Sequence, residues 1–352
     1  MKIHPVKTIL ILALLLLLLQ ACGGAPATET PTQTPPTALP PTGTLPPTAI
    51  SHTVIPASLP IENLGIAADQ DSSRTSNDQT AGGGDRFDKG EYERPFNAVT
   101  MDTYFPELDI TQYEVMQDDT WIYASMILRS RSADGSLSGQ YALEIDNDMD
   151  GRGDWLILVN APAATEWSVE NVQVWQDTNK DVGGNEAVNA DKSPGFGDGY
   201  ETKVFDSGMG SDADAAWARI SPDNQNTVQI AVKAALVDDD QKYLAGVWAG
   251  RTLDPAMFDF NDKMTQEQAG AAVKSFAYYP IQALSELDRA CRVSIGTAAT
   301  GSDLGLCQVY APQTNPSDPQ PPPPSSGCQP VSCPSGWGFD QTICQCVLLP
   351  PP

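Results

Sequence analysis

Residues 141–159 carry the clearest indication of the fold and read Tyr141-Ala-Leu-Glu-Ile-Asp146-Asn-Asp148-Met-Asp150-Gly151-Arg-Gly-Asp154-Trp-Leu-Ile-Leu-Val159. Two apolar, β-prone runs at 141–145 and 155–159 flank a loop with a carboxylate at every second position. Short apolar runs bounded by Asp and Gly are typical of strands joined by a turn. The stretch therefore predicts two paired strands connected by an acidic loop.

The acidic loop has the pattern of a calcium site. Alternate side chains of a tight loop can turn their oxygens inward, and Gly151 permits the sharp turn. The pattern matches an EF-hand loop at its first, third, fifth, sixth and ninth positions, but Ile157 replaces the Glu at the twelfth. The loop is similar to the Asp-x-Asp-x-Asp-Gly loops of extracellular β-proteins, with an ion-free turn as the alternative. The predicted calcium ligands are Asp146, Asp148, Asp150 and Asp154.

A second acidic loop follows the next predicted strand, at 172–175. It places oxygen-bearing side chains at alternate positions, in Asp177, Asn179 and Asp181. Lys180 and the lack of Gly at the sixth position weaken the resemblance to a calcium loop. Because both loops follow strands about 30 residues apart, they can lie at one end of a sandwich and share one calcium site. Solvated loops are the alternative.

The segment 94–310 is predicted to form a mainly β domain. Strand-like runs occur at 121–128, 217–220, 227–232 and 243–248, and Ser221-Pro-Asp-Asn-Gln-Asn226 is typical of a hairpin turn. Short strands separated by Asp, Gly and Asn turns favour an antiparallel β-sandwich. Two short helices are predicted late in the domain, at about 266–275 and 281–289.

The N-terminal part is predicted to be an export signal and a linker. Lys2 and Lys7 precede an apolar run at 9–19, which is too short to span a bilayer and fits a signal segment at 1–22. Leu19-Gln-Ala-Cys22 resembles the lipobox of bacterial lipoproteins, which implies cleavage before Cys22 and lipid attachment to it. Residues 23–93, rich in Pro and Thr and then polar, are predicted to be a linker.

The cysteines predict disulfides in the C-terminal part. Six of the seven cysteines remain besides Cys22, and an even number in an exported chain indicates a disulfide framework. Cys291 and Cys307 are expected to pair. A Pro-rich linker at 311–327 precedes a Cys-rich tail at 328–352, which resembles a short module of secreted proteins. The tail cysteines are expected to pair among themselves, with connectivity left open: Cys328, Cys333, Cys344 and Cys346.

The charge and the histidine count exclude some function classes. A net charge of −25 would repel phosphates, so nucleic acid is excluded as a partner. The chain has two histidines, His4 in the signal and His52 in the predicted linker. The sequence therefore predicts a folded region without histidine, which excludes Ser-His-Asp catalysis and histidine-ligated zinc. No catalytic residue is predicted, and the chain is expected not to be an enzyme.

The predicted β domain also resembles domains of uncharacterised function in bacterial surface lipoproteins. The resemblance rests on Tyr92-Glu-Arg-Pro-Phe96, on Glu144-Ile-Asp-Asn-Asp-Met-Asp-Gly-Arg-Gly-Asp154, on Val174-Trp-Gln-Asp-Thr-Asn-Lys-Asp-Val-Gly-Gly184 and on Asp259-Phe-Asn-Asp262. At the fold level it extends to the DOMON and family 9 carbohydrate-binding sandwiches. The resemblance to surface lipoproteins implies an extracytoplasmic protein, anchored to the membrane at the cell surface through the lipid on Cys22.

The expected function is that of a calcium-binding module, with a polysaccharide or another envelope component as partner. Aromatic platforms bind sugar rings, and Trp167 lies in the polar stretch Ala-Thr-Glu-Trp-Ser, where it is expected to be exposed. Two alternatives stay open. One is a passive structural protein of the envelope, and the other is a glycoside hydrolase that uses two carboxylates.

Overall fold

The computed structural model describes residues 50–74, 76–78, 91–97, 102–182, 197–237, 240–258, 284–298, 306–307, 337–340 and 345–348. The chain divides into two units, 1–48 and 49–352, and the described residues belong to the second. In chain order the strands are β1 (Gly65–Ala68), β2 (Tyr92–Arg94), β3 (Ile110–Gln117), β4 (Trp121–Leu128), β5 (Gln140–Asp146), β6 (Trp155–Asn160), β7 (Val172–Gln176), β8 (Thr202–Asp206), β9 (Met209–Gly210), β10 (Ala216–Ile220), β11 (Thr227–Lys233), β12 (Tyr243–Gly250), β13 (Leu287–Arg289), β14 (Val293–Ile295), β15 (Trp337–Asp340) and β16 (Gln345–Leu348).

The strands form two antiparallel sheets packed face to face. The smaller sheet has the order β1-β3-β4-β11-β10, and the larger one has the order β2-β13-β12-β5-β6-β7-β8-β9, with β14 also paired to β12. β15 and β16 pair with each other as a separate ribbon. The predicted antiparallel, mainly β sandwich is therefore confirmed.

The main core lies between the sheets and follows the two-residue period of the strands. In β11, Val228, Ile230 and Val232 belong to this core. Ala231 lies instead in a small cluster with Trp121 and Trp217 on the outer side of the smaller sheet. This alternation is the reason why β-branched residues at every second position specify these strands.

The larger sheet is covered on its outer side as well. A second apolar cluster contains Trp248, Leu156 and Leu158 from the sheet and Tyr200 and Phe258 from the loops that cover it. All eight residues of β12 are buried as a result. A strand buried on both faces reads as a continuous apolar run, which explains the sequence Tyr-Leu-Ala-Gly-Val-Trp-Ala-Gly.

Both predicted hairpin pairs are present. β5 pairs with β6 around the first acidic loop, and β10 pairs with β11 around the predicted turn. The helix predicted at 281–289 is wrong, because Leu287–Arg289 is a strand held between β2 and β12. The helix predicted at 266–275 lies outside the described residues. Helical structure in the described part of the chain is limited to three-residue 3-10 turns.

The folded region begins upstream of the predicted boundary at residue 94. β1 pairs with β3, and β2 pairs with β13, so residues assigned to the linker 23–93 are strands of the two sheets. His52 also packs edge-on against Trp217, with ring centroids 4.9 Å apart. The prediction of a folded region without histidine is therefore wrong. The sequence does not reveal these strands, because they are short, lie in a mostly polar region and pair with strands that are distant in the sequence.

Asp214 holds the segment around residues 52–54 on the sandwich. Its carboxylate accepts hydrogen bonds from the N–H groups of Thr53 (2.8 Å) and Val54 (2.9 Å) and contacts His52 Nδ1 at 2.7 Å. Burial raises the pKa of Asp214, but these hydrogen bonds outweigh it and bring the pKa to about 2. Because the pKa is depressed in the folded state, the contact is complete above the usual pKa of Asp and is lost only as the pH falls towards about 2.

We expect Asp214→Ala to release this segment. The amides of Thr53 and Val54 should exchange with deuterium about tenfold faster or more, since hydrogen bonds to charged groups contribute about 1.5–3 kcal/mol each. Exchange is compared at pH 7, where Asp214 is ionised. Asp223→Ala in the exposed β10–β11 turn is the control. Unchanged exchange at Thr53 and Val54 would contradict the assignment.

The predicted disulfide between Cys291 and Cys307 is formed in the structure. It lies directly beside Arg292, whose carbonyl accepts a hydrogen bond from the Cys307 N–H at 2.7 Å. Cys22, Cys328, Cys333 and Cys344 lie outside the described residues, and Cys346 lies in β16. Among the residues that the structure describes, no helix is long and apolar enough to cross a bilayer.

Candidate metal centre

The first acidic loop connects β5 to β6 at one end of the larger sheet. Its own carboxylates organise its backbone: Gly151 N–H donates to Asp146 Oδ2 at 2.9 Å, and Arg152 N–H donates to Asp150 Oδ1 at 2.9 Å. Gly151 has a φ of 95°, which favours glycine. The turn that the sequence predicted at this glycine is therefore present.

Three of the four predicted ligands come together. One carboxylate oxygen from each of Asp146, Asp148 and Asp154 lies within 4.8 Å of the others. Two oxygens on opposite sides of a calcium ion, each about 2.4 Å from it, are about 4.8 Å apart. The carboxylate of Asp150 lies instead beside Arg152, with 3.9 Å between Asp150 Oδ2 and Arg152 Nε.

The centre contains polar atoms that the protein leaves unsatisfied. Asp146 is 1% exposed, and its Oδ1 has no hydrogen-bond partner. The neighbouring Asn147 Oδ1 is also buried and unpartnered, although its amide group donates to the Leu236 carbonyl. Buried acceptors of this kind are costly unless a donor or a cation reaches them.

Burial also shifts the ionisation of this centre. It raises the pKa of Asp146 to about 7, against the opposing effects of Arg292 and the Gly151 N–H. Burial likewise raises the pKa of Asp154. A cation at this position would remove the cost of keeping these carboxylates charged.

The second acidic loop is satisfied by its own backbone. Asp177 is buried, and both of its oxygens accept N–H hydrogen bonds, Oδ1 from Lys180 at 2.7 Å and Oδ2 from Val182 at 2.8 Å. Asp181 accepts a hydrogen bond from the Asp198 N–H, and the Asn179 amide donates to the Asp198 carboxylate. These side chains shape the turn, and calcium binding by Asp177, Asn179 and Asp181 stays a prediction.

The two loops lie side by side, as their spacing predicted. Asp177 N–H donates to the Asp154 carbonyl at 3.0 Å, and Arg152 Nη1 donates to the Lys180 carbonyl at 3.2 Å. The second loop contributes a cation rather than a carboxylate, because Lys180 Nζ lies 2.6 Å from Asp148 Oδ2. Asp148 also raises the pKa of Lys180. The Lys180 ammonium therefore competes for one of the predicted ligands.

A buried network that the sequence did not reveal supports the first loop. Its centre is Glu144, two residues before Asp146 on the same face of β5. Arg292 connects Glu144 to the first loop, because its guanidinium donates hydrogen bonds both to the Gly151 carbonyl and to the Glu144 carboxylate. The Glu144 carboxylate accepts hydrogen bonds from four side chains: Tyr200 (2.8 Å), Trp248 (3.0 Å), Arg289 (2.9 Å) and Arg292 (3.3 Å).

Trp167, which the sequence predicts to be exposed, is half-buried in the structure, and a role in ligand contact stays a prediction. Its indole N–H donates to the Ala57 carbonyl at 2.9 Å, and the Arg219 guanidinium lies 4.4 Å from its ring. The ring also packs at 6.0 Å from Tyr123, beside Leu59. The N-terminal segment, which was assigned to the linker, therefore covers part of this tryptophan.

Known protein families, characterised proteins and solved structures give no significant match to this chain. The chemistry of the site must therefore be inferred from its own geometry.

Proposed function

We propose that this chain is an exported, lipid-anchored cell-surface protein whose β-sandwich binds calcium in the β5–β6 loop and acts as a calcium-dependent binding module. The observation that carries the calcium proposal is the group formed by Asp146, Asp148 and Asp154, in which Asp146 Oδ1 is buried and unpartnered. Export and lipid attachment at Cys22 rest on the signal and the lipobox pattern alone.

Calcium suits this centre better than other common ions. All of the available ligands are oxygens, which excludes a preference for soft metals. Asp146 is the last residue of β5, whereas Asp148 and Asp154 lie in the connecting loop. Calcium tolerates the irregular coordination of such a mixed set, whereas magnesium requires near-octahedral geometry. Extracellular calcium modules work at dissociation constants of about 10⁻⁴–10⁻³ M, which fits a surface protein.

Calorimetric titration of CaCl2 into the chelator-treated protein tests this proposal. Wild-type protein should bind calcium at the loop, and Asp146→Asn with Asp148→Asn should remove that site. Asp223→Asn, in the exposed β10–β11 turn, should leave calcium binding unchanged. Equal calcium binding by the double variant and the wild type would refute the loop site.

Replacing Lys180 by Gln should strengthen calcium binding at the loop. The ammonium lies 2.6 Å from Asp148 Oδ2 and is 62% exposed, so an incoming ion must displace it. An exposed ion pair is worth up to about 1 kcal/mol, which corresponds to a calcium affinity about fivefold higher in the variant. Lys203→Gln is the matched control. Lys203 Nζ lies 2.6 Å from Asp206 Oδ2, and this ion pair does not include a residue of the β5–β6 loop. Equal affinities in Lys180→Gln and wild type would show that Lys180 does not compete.

The resemblance to carbohydrate-binding sandwiches suggests a polysaccharide as the ligand of the module. However, residues 57–59 partly cover Trp167, which therefore offers less of its face to a sugar ring. That packing favours the second candidate, a passive structural component of the envelope. Screening of a glycan array with calcium and with EDTA separates the two. Calcium-dependent glycan binding supports the module, and calcium-dependent melting without any glycan binding supports the structural role.

The hydrolase alternative receives little support from Glu144. A catalytic acid must reach the substrate, whereas Glu144 is 1% exposed and is held by four donors. We therefore propose a non-enzymatic role, and turnover on a panel of polysaccharides would overturn it.

A further inference from the structure

Four acidic side chains from distant parts of the chain meet where the edges of the two sheets come together. Asp69 directly follows β1, and Asp109 directly precedes β3, both in the smaller sheet. Glu93 lies in β2, the edge strand of the larger sheet, and Asp288 lies in β13, the strand next to it. We call these residues the edge cluster.

The edge cluster brings like charges into close contact. One carboxylate oxygen from each of Asp69, Glu93 and Asp288 lies within 4.8 Å of the others. Glu93 and Asp288 are direct cross-strand neighbours and are 1% and 0% exposed. Like charges directly opposite each other destabilise a sheet, and burial increases that cost. The arrangement therefore requires something that neutralises the charge.

Each carboxylate of the cluster has one oxygen held by a donor. Gln70 N–H donates to Asp69 Oδ1 at 2.9 Å, and Ile110 N–H donates to Asp288 Oδ2 at 2.6 Å. Ser72 binds the other two, because its hydroxyl donates to Glu93 Oε1 at 2.5 Å and its N–H donates to Asp109 Oδ2 at 3.0 Å. These donors fix the orientation of the carboxylates.

The second oxygen of each carboxylate is buried without a hydrogen-bond partner: Asp69 Oδ2, Glu93 Oε2, Asp109 Oδ1 and Asp288 Oδ1. Four orphaned acceptors in one small region are unusual, because buried polar atoms are satisfied in the great majority of cases. In each carboxylate, one oxygen is held by a donor and the other has no hydrogen-bond partner. This arrangement is expected of carboxylates that bind a cation and are oriented by hydrogen bonds.

Burial also shifts the ionisation of the edge cluster. Burial raises the pKa of Glu93 and of Asp288 well above the usual range, and the largest neighbouring charges, which are other carboxylates, raise both further. Burial likewise raises the pKa of Asp69 to about 8 and that of Asp109 to about 7. The equally buried Glu144 differs, because Arg292 and Arg289 counteract its burial and lower its pKa to about 2. Among the described residues, the charges that neighbour Glu93 and Asp288 are carboxylates, whereas those that neighbour Glu144 are arginines.

We propose that Asp69, Glu93 and Asp288 bind a divalent cation of the calcium class, beside Asp109, and that this ion clamps the two sheets together at their edge. The 4.8 Å spacing fits oxygens around a calcium ion, and the ligands are all hard oxygens. The clamp would join the N-terminal strand β1 to β2 and β13. Unlike the loop centre, it makes the folding of residues 65–69 depend on calcium.

The edge cluster is separate from the β5–β6 loop. Asp146 pairs with Leu244 near the start of β12, whereas Asp288 pairs with Ala249 near its end. Five residues of strand correspond to roughly 17 Å. The two centres can therefore be removed independently, and the proposal for the edge cluster does not depend on the function proposed for the loop.

Equilibrium dialysis of the full chain against CaCl2 tests the proposal in a background without the loop site, Asp146→Asn with Asp148→Asn. This variant should still bind one calcium ion per chain. Adding Glu93→Gln and Asp288→Asn should abolish the remaining ion, whereas adding Asp223→Asn, in the exposed β10–β11 turn, should not. No calcium binding in the loop-free background, or an ion retained after Glu93→Gln and Asp288→Asn, would overturn the edge site and leave the loop proposal untouched.

Two further measurements keep the test decisive if a variant folds poorly. Glu93→Gln with Asp288→Asn should melt in EDTA at or above the temperature of the wild type, because the repulsion is gone, and calcium should no longer raise its melting temperature through the edge site. In crystals of wild-type protein grown with a lanthanide, an anomalous peak should lie between Asp69, Glu93 and Asp288. A well-ordered edge cluster without a peak would refute the proposal.

Discussion

Glu144→Gln is expected to lower the free energy of unfolding by about 3–5 kcal/mol, the usual cost of removing one partner from a buried ion pair. Glu144 and Arg289 are 1% and 4% exposed, and Arg292 is 3% exposed. The substitution keeps the shape of the side chain but removes the charge that neutralises two buried guanidinium groups. The network is thus converted from a balanced group of charges into a buried excess of positive charge.

Urea denaturation of both proteins in EDTA measures the effect without a contribution from calcium. Glu170→Gln is the control, because Glu170 is exposed, and its change should stay within about 0.5 kcal/mol. The variant should also bind calcium more weakly at the loop, since Arg292 holds both Glu144 and the Gly151 carbonyl. A loss below about 1 kcal/mol would show that the two arginines do not depend on Glu144.

The parts of the fold that were predicted from sequence are those encoded by nearby residues. The pairing of β5 with β6 and that of β10 with β11 each join strands across one short turn, so the apolar pattern and the turn residues lie in one window. The same holds for the first acidic loop, whose carboxylates at 146, 148 and 154 fall within nine residues. Local patterns of this kind need no knowledge of tertiary contacts.

The N-terminal strands were missed because their stability comes from distant partners. Gly65 pairs with Val115, and Glu93 pairs with Asp288. Neither β1 nor β2 has the apolar alternation of a typical strand, and both lie at sheet edges. The wrong helix at 281–289 has the same origin, since pairing of β13 with two strands outweighs a weak local preference.

The edge cluster could not be found by motif for a related reason. Its members, at positions 69, 93, 109 and 288, share no spacing, and each alone reads as an ordinary polar residue of a loop or strand. Only the topology, which places the edge of one sheet beside the edge of the other, brings them together. Lys180 illustrates the opposite case, because the sequence showed its position in the second loop but not that it reaches Asp148.

Gly153→Ala is expected to cost about 3 kcal/mol or more, at the upper end of what overpacking a buried site costs. A Cβ built on Gly153 would overlap the Tyr200 hydroxyl and lie 2.5 Å from Glu144 Oε1. Neither group can retreat easily, because the Tyr200 hydroxyl donates to Glu144 within the buried network. The requirement for glycine at this position therefore comes from close packing against the network.

Two further variants separate packing from backbone strain. Gly135→Ala introduces a Cβ with no atom within 4 Å at a φ of 80°, so its cost should be limited to the backbone term of about 1–2 kcal/mol. Tyr200→Phe removes the hydroxyl that the new Cβ would overlap, and it should recover part of the stability lost in Gly153→Ala when the two are combined. Denaturation of the wild type, Gly153→Ala, Tyr200→Phe and the double variant measures the coupling energy between positions 153 and 200. If Tyr200→Phe and Gly153→Ala were simply additive, overlap with the Tyr200 hydroxyl would not explain the requirement for glycine at position 153.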